Sequence, residues 1–332
     1  MAVLGNKANQ GLMQLQESYE IIDLKPRASD FRKEVRESLL SEHKWISPKF
    51  FYDRTGSELF EEITKLDEYY PTRAEMEILA SKAGEIGRAI GEGVSLAELG
   101  SGNGKKSVLL AKALPNPKEA ILVDISMDAL LDAMKRFKAE CPSIPAKAVC
   151  ADYTAVDAMS SIKMSGRKAI VFLGSTIGNM EPADQRSFIA GCRKVLCRGE
   201  TLTIGADLKK DPEVIERAYN DRKGITARFN LNLIARINRE FGIDIPPDAF
   251  RHYAFYNSEE GRVEMHLVST RNQSYNIGGI TIRFREGESI HTENSYKFTT
   301  GDLKKMLVGA GFSETHVWKD SRDLYALITA VV

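Results

Sequence analysis

Between residues 94 and 206 the chain alternates short apolar runs with amphipathic stretches, and this rhythm restricts the fold more than any other feature. Apolar runs occupy residues 94–99, 120–123, 146–150, 168–173 and 201–206. The stretches 106–113, 127–139 and 184–195 carry helical periodicity. Strands alternating with helices predict a parallel sheet covered on both faces, the α/β class. Upstream, residues 30–40, 56–66 and 72–90 read as helices, with a break at Ser47-Pro48. Downstream the pattern loosens. Residues 212–237 read as one helix, 251–268 and 275–284 as antiparallel strands, 303–310 as a helix, and 317–318 and 324–331 as terminal strands that rejoin the core. A discontinuous organisation follows. Residues 74–207 with 297–332 form a Rossmann-like domain, residues 28–73 with 208–296 form a second, α+β domain, and residues 1–27 are a polar, partly mobile lead-in.

The carboxyl ends of the predicted strands carry chemistry. In open α/β sheets ligands bind beyond those ends, where strand order reverses. The first strand runs into Glu98-Leu99-Gly100-Ser101-Gly102-Asn103-Gly104, whose glycines permit a tight turn and close approach to a ligand. The spacing is not that of a dinucleotide fingerprint, because Lys105 stands at the final position, nor that of a Walker loop. It resembles the glycine loop of class I methyltransferases. Asp124, ending the second strand, could accept the two hydroxyls of a ribose. After the third strand, Asp152 could read an adenine amino group while Tyr153 stacks on the ring. Each feature has a plainer reading, a ligand-free turn or a helix cap. Together they predict a nucleoside-type cofactor site, with S-adenosylmethionine preferred to NAD on the glycine spacing.

Composition narrows the partners. The 332 residues include 46 basic and 46 acidic side chains, a formal net charge of zero. Nucleic-acid binders carry a basic excess, so none is expected as a partner. Cys141, Cys150, Cys192 and Cys197 form no C-x-x-C pair and no zinc-type spacing, so no metal is expected and the thiols read as free and buried in a reducing compartment. No charged start with an apolar run marks a signal peptide, and no apolar stretch is long enough to span a bilayer. The expected setting is cytoplasmic, away from membranes.

Two further segments are the most specific. Residues 50–73 include Phe51-Tyr52-Asp53-Arg54-Thr55-Gly56 and Tyr69-Tyr70-Pro71, and residues 172–179 read Phe-Leu-Gly-Ser-Thr-Ile-Gly-Asn. With Arg217-Ala218-Tyr219-Asn220-Asp221, Gly224-Ile225-Thr226, Glu264-Met265 and Thr292-Glu293-Asn294-Ser295-Tyr296-Lys297-Phe298, they closely resemble the histidine Nα-methyltransferases of ergothioneine biosynthesis. The resemblance runs from about residue 32 to the C-terminus.

It implies a monomeric class I methyltransferase of free histidine, with S-adenosylmethionine as cofactor and up to three methyl groups transferred. It places Tyr52, Gly100, Lys106, Asp124, Asp152 and Tyr153 on the cofactor side, with Tyr153 where relatives carry Phe. Asn179 and Tyr219 would grip the substrate carboxylate, with Tyr69 in the same pocket. Met265, Glu293 and Ser295 would hold the imidazole, Phe60 would lie against the substrate, and Gly174 and Thr226 complete the substrate side. Tyr52, Asn179 and Tyr219 are the implied catalytic set. None of the five histidines matches a catalytic role. These residue types suit the task. Asn and Tyr donate to a carboxylate without setting a cation beside a sulfonium, and Glu293 can accept an imidazole N–H. No strong general base is expected, only proximity and alignment. Three other readings stay open: methylation of another amino acid such as a tryptophan derivative, a non-catalytic nucleoside-binding module, and an NAD-dependent oxidoreductase. A carboxylate at Glu293 favours an imidazole over an indole.

Overall fold

The computed structural model describes residues 20–24, 31–154 and 158–332. An eight-stranded sheet forms the centre. Its strands are β1 (Glu20–Asp23), β2 (Val94–Leu99), β3 (Glu119–Asp124), β4 (Ala146–Cys150), β5 (Arg167–Phe172), β6 (Thr201–Asp207), β12 (Glu314–Lys319) and β13 (Tyr325–Val331). Their order is β1-β4-β3-β2-β5-β6-β13-β12. The first six are parallel, and β13 and β12 close the sheet antiparallel. β2 and β6 are buried along their whole length, as strands covered on both faces must be, which is why they read as apolar runs without alternation. The sheet is thus α/β and Rossmann-like, with its order reversing at β2: β3 lies on one side and β5 on the other.

One expectation needs correcting here. The lead-in over residues 1–27 contributes a strand, because Glu20–Asp23 pairs in parallel with Lys147–Cys150 at the sheet edge. The strand is only four residues long and its ends are exposed, so its local pattern is faint; β4 supplies the ladder that defines it. Residues 1–19 and 25–30 of the expected lead-in and first helix lie outside the described residues.

A second body of structure lies over the carboxyl edge of the sheet. It contains the strands β7 (Phe250–Asn257), β8 (Arg262–Ser269) and β11 (Ser289–Tyr296), paired antiparallel in the order β11-β8-β7, and a hairpin of β9 (Gln273–Ile277) and β10 (Ile280–Phe284). Its apolar cluster draws on residues 31–70 and 215–290, including Phe51, Leu39, Leu233 and Leu267, while two other clusters cover the faces of the large sheet. The helix expected over 212–237 is two helices, Pro212–Tyr219 and Ile225–Phe241. The first ends at Tyr219 with Asn220 as its C-cap, and Asp221 tethers the start of the second: its carboxylate accepts the backbone N–H groups of Ile225 at 2.9 Å and Thr226 at 2.7 Å, and Gly224 takes a φ of 67°. The thiols are free, as expected, but Cys197 is exposed while the other three are buried. Among the described residues no helix is long and apolar enough to cross a membrane.

Gly56 shows how tightly the second body is packed. It sits in the helix Arg54–Ile63, whose N-cap Asp53 accepts the Gly56 N–H at 2.8 Å. A Cβ at residue 56 would lie 1.7 Å from the Phe51 carbonyl oxygen. In an open helix Gly→Ala stabilises by roughly 0.5–1 kcal/mol. Here the clash is with backbone and dominates, so Gly56→Ala is expected to destabilise by about 1–3 kcal/mol, measured by urea unfolding.

Candidate active site

The reversal of strand order opens a crevice at the carboxyl ends of β2 and β5. After β2 the chain turns through Gly100, Gly102 and Gly104, with φ values of 72°, 50° and 74° that only glycine adopts without strain. Asp124 ends β3 beside this turn. Its carboxylate accepts the backbone N–H of Gly102 and that of Ser126, each at 3.0 Å. Burial nonetheless raises its pKa above the usual range, against those hydrogen bonds. Tyr153, after β4, closes the wall: a Cβ at residue 100 would stand 3.5 Å from its hydroxyl, and its ring meets Phe172 edge-on at 5.5 Å. Asp152 accepts the Thr154 N–H at 3.0 Å within its own turn.

Lys106 and Gly174 are tied together by a residue that sequence reasoning missed. Glu75, 1% exposed, accepts the Gly174 N–H at 2.8 Å and the Tyr325 hydroxyl at 2.7 Å, and pairs with the Lys106 ammonium at 2.6 Å. A buried carboxylate is tolerated only with such partners. The loop after Gly174 reaches Asn179 through a short 3-10 helix, Thr176–Asn179. A Cβ at Gly178 would meet the Tyr296 carbonyl at 2.8 Å, so this loop is pressed directly on β11.

The facing wall is aromatic. Tyr52 packs edge-on against Phe60 at 5.7 Å and against Phe229 at 5.9 Å. Phe60 meets Tyr69 at 6.2 Å, and Tyr69 meets Tyr219 at 6.4 Å. Phe229 had no sequence signal beyond its helical spacing. Burial, with Glu293 as a neighbouring charge, raises the phenol pKa of Tyr52 and Tyr219 well above the usual value. In Tyr69 burial comes first and Tyr219 next. All three therefore stay protonated donors at neutral pH. Met265 and Glu293 are direct partners across β8 and β11, so they share one face, and Ser295 follows two residues on along that face.

Behind this wall lies a buried charge network. Asp207 ends β6 at 1% exposure and pairs with Lys297 at 3.0 Å and Lys210 at 2.5 Å, while Tyr70 donates to it at 2.8 Å. Burial alone would raise the Asp207 carboxyl, but the two ammonium groups hold it below its ordinary pKa. Lys210 moves the other way, to about 8, chiefly through burial. A cation does stand close by: Lys297 donates to the Tyr219 hydroxyl at 3.0 Å from behind the wall. Its place in the motif Tyr296-Lys297-Phe298 was visible in sequence; its burial was not.

All fifteen sequence-predicted site residues line a single cleft of about 2220 Å³. Two hydroxyls in that lining, Ser101 Oγ and Thr226 Oγ1, are buried without a hydrogen-bond partner. One lies on the glycine loop and the other on the aromatic side, so each half of the cleft offers an unsatisfied polar group to a ligand. The glycine turn, the Asp124 carboxylate and the Tyr153 ring fit a nucleoside, and the chemistry of the donor set therefore suits S-adenosylmethionine. Among the described residues one group, Glu264, His266 and His291, brings three potential metal-ligand atoms within 4.8 Å of one another. It arises across strands and is invisible to sequence spacing. Glu264 is committed to Arg262 at 2.9 Å and Asn257 at 3.1 Å, and His291 Nε2 to the Glu293 carbonyl at 3.1 Å.

This fold and this glycine-loop site are those of a class I, S-adenosylmethionine-dependent methyltransferase. Residues 31–332 match the model of the histidine-specific, SAM-dependent methyltransferases, and the chain belongs to that family. It is 39% identical over 309 residues to a histidine N-alpha-methyltransferase of Mycolicibacterium smegmatis, covering 92% of this chain and 95% of that one. A histidine N-alpha-methyltransferase of Mycobacterium tuberculosis is 38% identical over 90% of this chain and 94% of its own. In three dimensions the chain is similar to a crystal structure from Bordetella parapertussis at a TM-score of 0.50 and 11% identity, over 91% and 94% of the two chains, a likeness of fold alone.

Burial pushes the Glu293 carboxyl up to about 7, with Lys297 offsetting part of the effect. A raised carboxyl pKa means that the folded state holds the proton more tightly than the unfolded state. Its contribution to stability is therefore present at low pH and lost as pH rises toward about 7. Glu293→Gln should melt at a higher temperature than the native protein above about pH 8, with the difference vanishing toward about pH 4, as thermal scans across pH would show.

Proposed function

We propose that the protein transfers methyl groups to the α-amino nitrogen of free L-histidine, up to the trimethylated betaine. The observation that carries this reading is the convergence of Met265, Glu293 and Ser295 on the same cleft as the glycine loop. When bound, S-adenosylmethionine supplies an electrophilic methyl group on a sulfonium. The protein's own residues then divide the remaining work. Residues 74–207 with 297–332 hold the cofactor, and residues 28–73 with 208–296 hold the amino acid. Asp124 takes the ribose hydroxyls, Asp152 and Tyr153 take the adenine, and Gly100 and Lys106 border that half. Asn179 and Tyr219 donate to the substrate carboxylate, Glu293 accepts a ring N–H, Ser295 meets the other ring nitrogen, and Met265 lies along the ring.

Held at both ends, the amino acid can turn only its nitrogen toward the methyl group. The α-ammonium first loses a proton, which tyrosine hydroxyls of the cleft and water can carry away. The nitrogen lone pair then forms the N–C bond as the C–S bond breaks, with the electron pair passing to sulfur. Fixing this alignment contributes up to about 7–11 kcal/mol in favourable systems. The sequence ends at three transfers because a quaternary nitrogen has neither lone pair nor proton. With zero net formal charge, the chain has no sequence-wide attraction for polyanions, and we read it as a cytoplasmic monomer acting on a small molecule.

Incubation with S-adenosylmethionine and each standard amino acid, read by mass spectrometry, should give a gain of three methyls on histidine alone. Gain on another amino acid, tryptophan included, would remove the ring-binding role of Glu293 and Ser295. Asp124→Ala should weaken S-adenosylhomocysteine binding by about tenfold or more, measured by calorimetry, because it removes a charged acceptor. Undiminished affinity would overturn the cofactor half of the reading.

A further inference from the structure

Lys297 follows β11 and its side chain is 0% exposed. A lysine ammonium has three hydrogens to place. One goes to Asp207 Oδ2 at 3.0 Å, one to Ser295 Oγ at 2.8 Å and one to the Tyr219 hydroxyl at 3.0 Å. Tyr219 and Ser295 are themselves joined, oxygen to oxygen, at 2.8 Å. The ammonium also lies 4.9 Å from the centre of the Tyr219 ring. Two hydroxyls that line the cleft from different elements, one at the end of a helix and one on β11, are thus held by one buried cation.

The chemistry of a hydroxyl makes this consequential. Each has one proton to give and two lone pairs to offer. Lys297 can only donate, so it occupies a lone pair on both oxygens; Tyr219 gives its own proton to Ser295 Oγ, so the Ser295 proton is free and a ligand carboxylate takes the Tyr219 proton by replacing that bond. It also polarises each O–H bond, and hydrogen bonds assisted by charge are about twice as strong as neutral ones. His252 fixes the same element from behind, with Nε2 3.0 Å from the Tyr219 carbonyl oxygen and Nδ1 2.9 Å from Asn230.

We propose that Lys297 is a positioning residue for the amino-acid substrate: its ammonium, anchored by Asp207, keeps Tyr219 and Ser295 aligned as proton donors, so that the cleft grips a carboxylate through Tyr219 and a proton-accepting ring nitrogen through Ser295. This rests on the histidine reading above and deepens it. The pocket recognises an anionic carboxylate through a cation held one bond away, which keeps that positive charge off the face where the sulfonium must sit. It also accounts for a lysine buried beside an aspartate, where an apolar pair of similar volume is often as stable or more so.

The test is Lys297→Met, with Lys297→Met/Lys210→Met/Asp207→Asn, which removes the whole buried charge cluster, as its neutral partner, each assayed for histidine KM and kcat, S-adenosylhomocysteine affinity and melting temperature. The expected result is a rise in histidine KM of at least about tenfold, the size of one lost charge-assisted hydrogen bond, with cofactor-product affinity unchanged. The triple variant, with no buried charge left unpaired, should recover thermal stability without recovering KM, and it serves alone if the single variant does not fold. An unchanged KM in the variants would overturn the proposal. So would a KM restored in the triple variant, which would reduce Lys297 to a counter-ion for Asp207. A native enzyme inactive on histidine would overturn the substrate reading and this inference with it, whereas an active native enzyme with unaffected variants removes this inference alone.

Discussion

Asp207 is the point at which the two bodies of this protein are joined. It is the last residue of the central strand β6, it pairs with Tyr325 on β13, and its backbone N–H donates to Ser175 Oγ at 2.9 Å. Its carbonyl accepts the Phe298 N–H at 3.0 Å, tying the chain that leaves β11 to the large sheet. Its carboxylate gathers Lys297, Lys210 and Tyr70 from three separate segments. A charge this deeply buried is costly unless paired, and removing one partner of such a pair costs about 3–5 kcal/mol. The placement of Tyr219 and Ser295 follows from satisfying that one carboxylate through Lys297, while the loop at Gly174 is held by the Glu75 carboxylate and by the Asp207 backbone N–H.

The cleft is arranged so that its charges stand behind its neutral groups. Glu75 steadies Lys106 and the Gly174 backbone on the cofactor side, and Asp207 steadies Lys297 on the amino-acid side. Lining the cleft are phenols kept protonated by burial, an amide, a hydroxyl and a thioether. A reaction that moves a methyl cation equivalent onto a neutral amine benefits from this arrangement. Donors are fixed in direction, and no strong base is needed to drive a displacement governed by alignment. Among the residues around Met265 and Ser295, Glu293 is the exception, a carboxylate that lines the cleft. Its pKa near 7 lies close to the operating range of an imidazole partner.

Much of this was legible in the residues. The glycine turn, Asp124 and the Asp152-Tyr153 pair could be placed at strand ends because parallel buried strands produce unmistakable apolar runs. The substrate residues could be named only through resemblance, since Asn179, Met265 and Glu293 have no local signature. Three things escaped. β1 was hidden because four residues with exposed ends gain strand character only from their neighbour β4. The break between Tyr219 and Ile225 was hidden because helical periodicity runs through it, and only Asp221 capping two backbone donors reveals the turn. Glu75, Lys210 and Lys297 carry no local sign of burial, because burial of a charge depends on partners more than a hundred residues away for Glu75–Tyr325, and on the Asp207 carboxylate for both lysines.

Local chemistry therefore dictated the α/β class, the strand-end residues proposed for the cofactor and the family, because hydrophobic period and glycine spacing act over a few neighbouring residues. The folded chain alone could decide which charges are buried, how β8 and β11 bring Met265 opposite Glu293, and how Lys297 reaches Tyr219 and Ser295 together. Those outcomes rest on cross-strand register and on long-range ion pairing, and neither is written in any single stretch of the chain.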